Sequence, residues 1–317
     1  MRGVWIFLAA LAAVIFVNSP VQPASAQAAR TWVSGVGDDA NPCSRTAPCQ
    51  TFAGAIAKTA AGGEINCLDP GGFGSVTITM SVAIVCDNTE GGVLVSGTNG
   101  ITINAGPTDV VTLRGLDIKG MGTGLNGISF VQGGVLHVEF CTINGFTQGP
   151  ATGLSFTPPS SAKLFVSDTI VSENGTGTTG GGIIVKPSGS GAVFAEIKRV
   201  QAKNNVLGIR ADGGGGAASI SLAVTDSEAS GNTYAGMAAF TSGPAVTYMI
   251  SRSVSSANGV GVNANGVTAI MRVGNSVIQG NLMGTTISNG ATMTSYGTNQ
   301  INDNATPGQN IPVSGPN

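Results

Sequence analysis

Residues 197–209 read IKRVQAKNNVLGI, residues 250–262 read ISRSVSSANGVGV, and residues 273–285 read VGNSVIQGNLMGT. Each stretch starts at an apolar residue and reaches an asparagine eight positions later. The same offset ends at asparagine in six successive units, at Asn174, Asn205, Asn232, Asn258, Asn281 and Asn304. Six asparagines in one register indicate a structural repeat, because a composition rich in asparagine would scatter them.

The apolar residues that start the units define the length of the repeat. The starts are Leu113, Val138, Val166, Ile197, Val224, Ile250, Val273 and Tyr296, and subtraction gives spacings of 23 to 31 residues. A unit this short cannot bury its own apolar face, whereas stacked units share one continuous core. Cys67 and Cys86 mark the same position in two earlier units. The sequence therefore predicts an all-β chain, a right-handed parallel β-helix of about ten coils.

The repeated asparagine occupies a corner between two short strands, where its side chain points inward. An amide buried there must find hydrogen-bond partners, and the asparagines of neighbouring coils and the backbone of the turn can supply them. We therefore expect a structural asparagine ladder.

The amino-terminal residues have the pattern of an export signal. Arg2 precedes an apolar run from Val4 to Val17, and Ala24-Ser25-Ala26 forms a small-residue cleavage site. The run is shorter than the roughly 20 residues that a spanning helix needs. The sequence predicts a bacterial signal peptide at 1–26, cleaved near Ala26, a secreted or periplasmic protein, and no membrane span after cleavage.

Three further segments are predicted along the mature chain. Residues 27–64 are expected to hold a disulfide loop and a short capping α-helix over Thr51 to Ala61, because Phe52, Ile56 and Ala60 recur at helical spacing before Gly62-Gly63. Residues 65–304 form the parallel β-helix. Residues 305–317, rich in proline, glycine and asparagine, are expected to form a flexible tail.

Five cysteines occur in a chain expected to enter an oxidising compartment, where pairing is the rule. Cys43 and Cys49 enclose a short loop and are disulfide candidates. Cys67 and Cys86 are a second candidate pair, since inward positions on adjacent coils lie about 4.8 Å apart, within the Cα range of a disulfide. Cys141 is then the odd cysteine, expected as a buried thiol.

Composition and charge exclude several classes of function. The chain has 49 glycines, 9% charged residues and a net charge of −2. Its apolar content argues against disorder, and the absence of a basic surface argues against nucleic-acid binding. The sequence contains no nucleotide-binding loop and no zinc-ligand spacing, so we expect no cofactor and no metal.

With these features in view, the chain resembles the pectin-lyase-like superfamily of secreted right-handed β-helix proteins. The resemblance rests on the segments Asp39 to Cys43 and Pro48 to Phe52, the alanine-rich capping helix, Pro70-Gly71-Gly72-Phe73 and the coils with asparagine, glycine and an apolar strand. It implies the fold over nearly the whole mature chain. It implies much less about function, since this fold hosts polysaccharide lyases, hydrolases, epimerases, adhesins and other secreted proteins.

Members that cleave acidic polysaccharides carry an exposed arginine or lysine base with clustered carboxylates, and hydrolase members carry grouped aspartates. No outward column of this sequence stacks acidic residues on consecutive coils. Arg114, His137 and Glu139 lie on neighbouring coils and are the candidate catalytic residues if the chain is an enzyme. A second outward column alternates in sign, through Asp168, Arg199, Asp226 and Arg252, which favours ion pairs between coils over a substrate clamp.

The sequence thus favours a secreted, non-catalytic β-helix that acts as an interaction or structural module of the cell envelope or exterior. Its expected partner is a polysaccharide or another cell-surface component. The alternative is a polysaccharide lyase or related carbohydrate-active enzyme acting on acidic glycans.

Overall fold

The structure is a computed structural model that describes residues 27–178 and 180–315. The predicted signal peptide at 1–26 lies outside the described residues. Within them, no helix has both the length and the apolar character needed to cross a membrane.

Three parallel sheets run the length of the molecule, and each coil contributes one strand to each sheet in turn. The first sheet comprises β1 (Ala28–Val33), β2 (Thr59–Cys67), β5 (Val82–Val85), β8 (Val110–Arg114), β11 (Val135–Glu139), β14 (Ala162–Ser167), β17 (Ala192–Lys198), β20 (Ser219–Thr225), β23 (Val246–Ser251), β26 (Ala269–Gly274) and β29 (Thr292–Ser295).

The second sheet comprises β3 (Gly71–Gly72), β6 (Gly91–Leu94), β9 (Leu116–Lys119), β12 (Thr142–Asn144), β15 (Ile170–Ser172), β18 (Gln201–Lys203), β21 (Glu228–Ser230), β24 (Val254–Ser256), β27 (Val277–Gln279) and β30 (Gln300–Asn302). The third sheet comprises β4 (Val76–Ile78), β7 (Ile101–Asn104), β10 (Asn126–Gln132), β13 (Thr152–Phe156), β16 (Gly181–Val185), β19 (Leu207–Asp212), β22 (Ala235–Phe240), β25 (Val260–Asn265), β28 (Met283–Ser288) and β31 (Thr306–Gly308).

The second and third sheets each have ten strands, so the chain makes nine full turns between the first and the last strand of each sheet. The chain is thus the predicted all-β, right-handed parallel β-helix. The predicted unit starts from Leu113 to Val273 align as one core column, in which Val138 pairs with Leu113 on one side and Val166 on the other. In the two earlier coils this column continues through Ile84 and Ile65, so the prediction that Cys86 and Cys67 mark it is wrong by two residues, and the cysteines lie beyond the column in the chain. Alternate residues of each strand point into a continuous apolar core between the sheets, where Phe130 stacks on Phe156 with ring centroids 4.3 Å apart.

The corner between the first and second sheets is a turn whose central residue has a positive φ. Gly115 occupies it in one coil, whereas Asp168 (φ 51°), Arg199 (φ 52°) and Asp226 (φ 51°) occupy it in others. The next residue carries a hydroxyl in several coils, and this hydroxyl accepts a backbone N–H of the preceding coil, as Ser227 does from Val200 at 3.1 Å. Thr169, Ser253 and Ser276 make the same bond.

The asparagines form a ladder at the corner between the second and third sheets. In each step the side-chain oxygen of one asparagine accepts both the backbone N–H and the Nδ2–H of the asparagine one coil earlier, at 3.0 and 3.1 Å between Asn205 and Asn174. The ladder continues through Asn232, Asn258 and Asn281 to Asn304. At its start, Asn174 accepts the N–H of Phe146, which holds the same position one coil earlier.

The amino-terminal cap differs from the prediction in the length of its helix. Helix α1 spans Phe52–Ile56, with Thr51 as its N-cap, and ends well before Gly62. The residues from Thr59 onward instead form β2, which pairs with β1. The buried Thr59 hydroxyl is 2.7 Å from that of Thr31, and a β-branched residue favours such a strand over a helix.

The last coil also differs from the prediction in register and extent. Val273 pairs with Ser295 and not with Tyr296, because the corner that contains Gly297 holds one extra residue. Beyond Asn304 the chain forms β31 against β28, and a further bridge joins Ser295 to Val313. The last coil therefore extends past the predicted boundary at Ala305.

Both candidate disulfides are present. Cys43 pairs with Cys49. Cys67 pairs with Cys86 of the next coil, and the Cα atoms of these two residues are 4.8 Å apart. Cys141 is a buried free thiol.

Candidate functional site

The outer face of the first sheet carries the predicted candidates. Arg114, at the end of β8, lies between two carboxylates, with Nε 2.7 Å from Asp87 Oδ1 and Nη1 2.8 Å from Glu139 Oε2. Its guanidinium also stacks over the Phe140 ring, 4.5 Å from the centroid. The structure therefore brings Arg114 and Glu139 into direct contact.

His137 is on the same face but in another column. It pairs in register with Thr112 and Phe165, and its ring stacks on that of Phe165 with centroids 4.9 Å apart. The hydrogen bonds of Arg114 go to Asp87 and Glu139. The three candidates are thus neighbours on one surface, and two of them form an ion pair.

The electrostatics of this group oppose a role for Arg114 as a base. Hydrogen bonds from the guanidinium to Asp87 and then to Glu139 raise the pKa of Arg114. A base that abstracts a proton must first give up its own. In this structure Arg114 is held as a charged partner of two carboxylates.

A groove runs along the same sheet at the other end of its strands. It has a volume of about 680 Å³ and crosses six coils, from Pro107 and Thr108 before β8 to Thr247 in β23. Coils about 4.8 Å apart make this a groove about 24 Å long, parallel to the axis of the helix.

The floor and walls of the groove come from small, apolar and hydroxyl-bearing residues. An outward column of the first sheet lines one side, through Val135, Lys163, Phe194, Ser221 and Thr247. The turns that lead into the strands line the other side with residues such as Gly134, Ser161 and Ala245. Phe194 is 40% exposed, and its ring is tilted by 52° from that of Phe165, 6.0 Å away.

The predicted catalytic candidates lie outside this groove. Arg114 and Glu139 stand four residues further along their strands than Val110 and Val135, which corresponds to about 13 Å. Lys163 and Phe194, which do line the groove, each lie three residues before their unit start. This column is not among the two positions that flank each unit start, although the alternation of side chains along the strand places it on the outer face too.

The alternating charges form two ion pairs at the corner between the first and second sheets. Arg199 makes a bidentate contact with Asp168, at 2.6 and 2.7 Å, and Arg252 makes one with Asp226, at 2.7 and 3.0 Å. Each pair joins one coil to the next. All four charged side chains are paired within this column, as expected for ion pairs that support the register of the coils.

No group of three histidine, cysteine, aspartate or glutamate side chains that could hold a metal ion occurs in residues 27–178 and 180–315. The charged side chain that lines the groove is Lys163. The groove therefore offers one ammonium group, an aromatic ring, apolar surface and hydroxyl groups.

Among known proteins, the similarities found are to solved structures. No family model and no curated protein sequence matches the chain. Its structure is similar to that of pectate lyase Pel9A, with 16% sequence identity and a TM-score of 0.49 over 84% of this chain and 67% of the other.

It is also similar to the polygalacturonase from Erwinia carotovora ssp. carotovora, with 10% identity and a TM-score of 0.44 over 94% of this chain and all of the other. Such identities concern the fold and leave the activity open. The chain's own three sheets and their register establish its fold, which is a right-handed parallel β-helix.

Proposed function

We propose that the chain is a secreted, non-catalytic module that binds a linear polysaccharide in the groove along the first sheet. The observation that carries this proposal is the groove itself, an open channel across six coils lined by Phe194, hydroxyl groups and apolar surface. Binding sites for organic ligands are mostly apolar, with a few polar groups that fix orientation.

Two disulfides support an extracytoplasmic location, because such bonds persist in oxidising compartments. The predicted signal peptide at 1–26 leads to the same compartment. A polysaccharide of the cell envelope or of the surroundings would be within reach of the protein there.

The proposal is tested by affinity electrophoresis of the purified protein in gels that contain soluble polysaccharides. We expect at least one polysaccharide to retard the protein, and Phe194→Ala to weaken this binding about tenfold through loss of a central aromatic contact. Tyr234→Ala is the matched control, because Tyr234 is also 40% exposed but lies outside the groove. Absence of retardation across a broad panel, or equal loss in both variants, would contradict the proposal.

The non-catalytic part is tested with the same panel. We expect no release of unsaturated or reducing sugar ends on prolonged incubation. Release of such products would favour the alternative, an enzyme acting on acidic glycans. In that case, loss of activity in Arg114→Ala, His137→Ala and Glu139→Ala would assign the site.

A further inference from the structure

The charge of the groove bears on the kind of polysaccharide that it accepts. Lys163 is its charged lining residue. Two carboxylates lie close by: Asp109 follows the lining residue Thr108, and Glu196 is on the same face of β17 as Phe194, two residues further along. One cation across six coils, with two anions nearby, leaves the groove without a positive field.

Asp109 lies at the end of the groove that Pro107 and Thr108 line, and its side chain remains negatively charged there. Its carboxylate accepts hydrogen bonds from the Ser81 hydroxyl at 2.7 Å and from the N–H of Gly106 at 2.7 Å. These bonds, that from Ser81 foremost, lower the pKa of Asp109. An acidic polysaccharide bears carboxylates at regular intervals, and most of those in this groove would lie without a cation. A charge that loses water without gaining a partner opposes binding.

The apolar lining suits a different ligand. Pyranose rings whose linkages and most of whose hydroxyls are equatorial expose C–H groups on both faces, and such faces pack against aromatic and aliphatic side chains. Phe194, Val135 and Pro107 offer this surface, and Ser161, Ser219, Ser221 and Thr247 can bond to hydroxyls at the ring edges. The straight course of the groove, along the axis of the helix, fits an extended chain.

A peptide is the less suitable occupant. Extended peptides bind β-proteins by adding a strand to a free sheet edge. The strands beneath the groove, from β8 to β23, each pair with a neighbour on both sides, so their backbone groups are already bonded.

We propose that the groove selects a neutral, linear polysaccharide of equatorially linked pyranoses, such as a β-linked glucan or mannan, over an acidic one. This inference rests on the proposed function of the same groove and adds the class of ligand.

Isothermal titration calorimetry compares the purified protein's affinity for hydroxyethyl cellulose, which is neutral and soluble, for a glucomannan and for polygalacturonate. We expect binding to at least one neutral polymer to exceed that to polygalacturonate by at least tenfold. Between about 0.05 and about 0.5 M salt, binding of the neutral polymer should stay within twofold, because screening affects charge pairs only.

Two variants sharpen the result. Phe194→Ala should weaken neutral binding about tenfold, and Lys163→Ala should leave it within twofold. Binding of polygalacturonate alone, lost in Lys163→Ala and at high salt, would overturn the inference while leaving a polysaccharide-binding module intact. Failure to bind any polymer would overturn the proposed function as well.

Discussion

The side-chain oxygen of Asn258 accepts two hydrogen bonds from Asn232, one from the backbone N–H at 2.9 Å and one from Nδ2 at 2.8 Å. Both residues are buried. Because this contact repeats at every step of the ladder, the loss of one side chain leaves donors of the preceding coil without an acceptor.

We expect Asn258→Ala to lower the free energy of unfolding by about 2 to 3 kcal/mol, since a buried donor without a partner destabilises by about 1 to 3 kcal/mol. Denaturant unfolding followed by circular dichroism measures the change. The control is Asn302→Ala, because Asn302 is exposed in β30. Equal stability of the two variants would show that the ladder adds nothing to the stability of the fold.

Glu173 adopts a left-handed backbone, with φ 57°, at the corner just before the ladder residue Asn174. Gly145, Gly231 and Gly280 occupy the same corner in other coils. We expect Glu173→Gly to raise the free energy of unfolding by about 0.5 to 1 kcal/mol, because relief of the left-handed strain exceeds the entropy that glycine adds to the unfolded chain. Thermal unfolding measures it, and Glu173→Ala, which keeps the strain, should show no such gain.

Burial raises the pKa of the Cys141 thiol to about 11. We expect no reaction of the native protein with a thiol reagent at pH 8, because little thiolate forms and the reagent has no access. When the protein is unfolded without reductant, one thiol per chain should react with the reagent, since four of the five cysteines are in disulfides. Rapid reaction in the native state would contradict the buried position, and Cys141→Ala supplies the blank.

The hydrogen bonds from Arg199 lower the pKa of Asp168 in the folded chain. A lowered pKa contributes stability above the pKa of the unfolded chain, about 3.9 for aspartate, and this contribution is lost as the pH falls through the folded value. The melting temperature of the native protein should therefore fall below about pH 4. Asp168→Asn and Arg199→Gln should each lower stability near pH 6 and flatten this acid dependence. A parallel pH profile in all three proteins would argue against the pair.

Much of the architecture is readable in the sequence because it repeats. The asparagine column and the unit starts predict the coils and their register, since residues that stack in a solenoid recur at nearly constant positions. The Cys67–Cys86 disulfide follows from stacking on adjacent coils, and the Cys43–Cys49 disulfide follows from the short loop between the two cysteines. Prediction fails where the repeat is broken. The corner with Gly297 carries an extra residue. Helix α1 is shorter than predicted, because Thr59 begins strand β2 and pairs with β1.

The candidate site was only partly predictable. Strand alternation puts Arg114, His137 and Glu139 on the outer face, and their common surface follows from the register. The groove depends on the turns before each strand, whose lengths vary from coil to coil and whose course no periodicity encodes.

The sequence by itself determined the solenoid, because stacking identical units is the way in which such short units can share a core. Only the tertiary structure decided that Arg114 is held between Asp87 and Glu139, and that Phe194 and Lys163 face an open groove. Those relationships depend on how irregular turns fold over a regular sheet, and on side-chain contacts between residues of different coils.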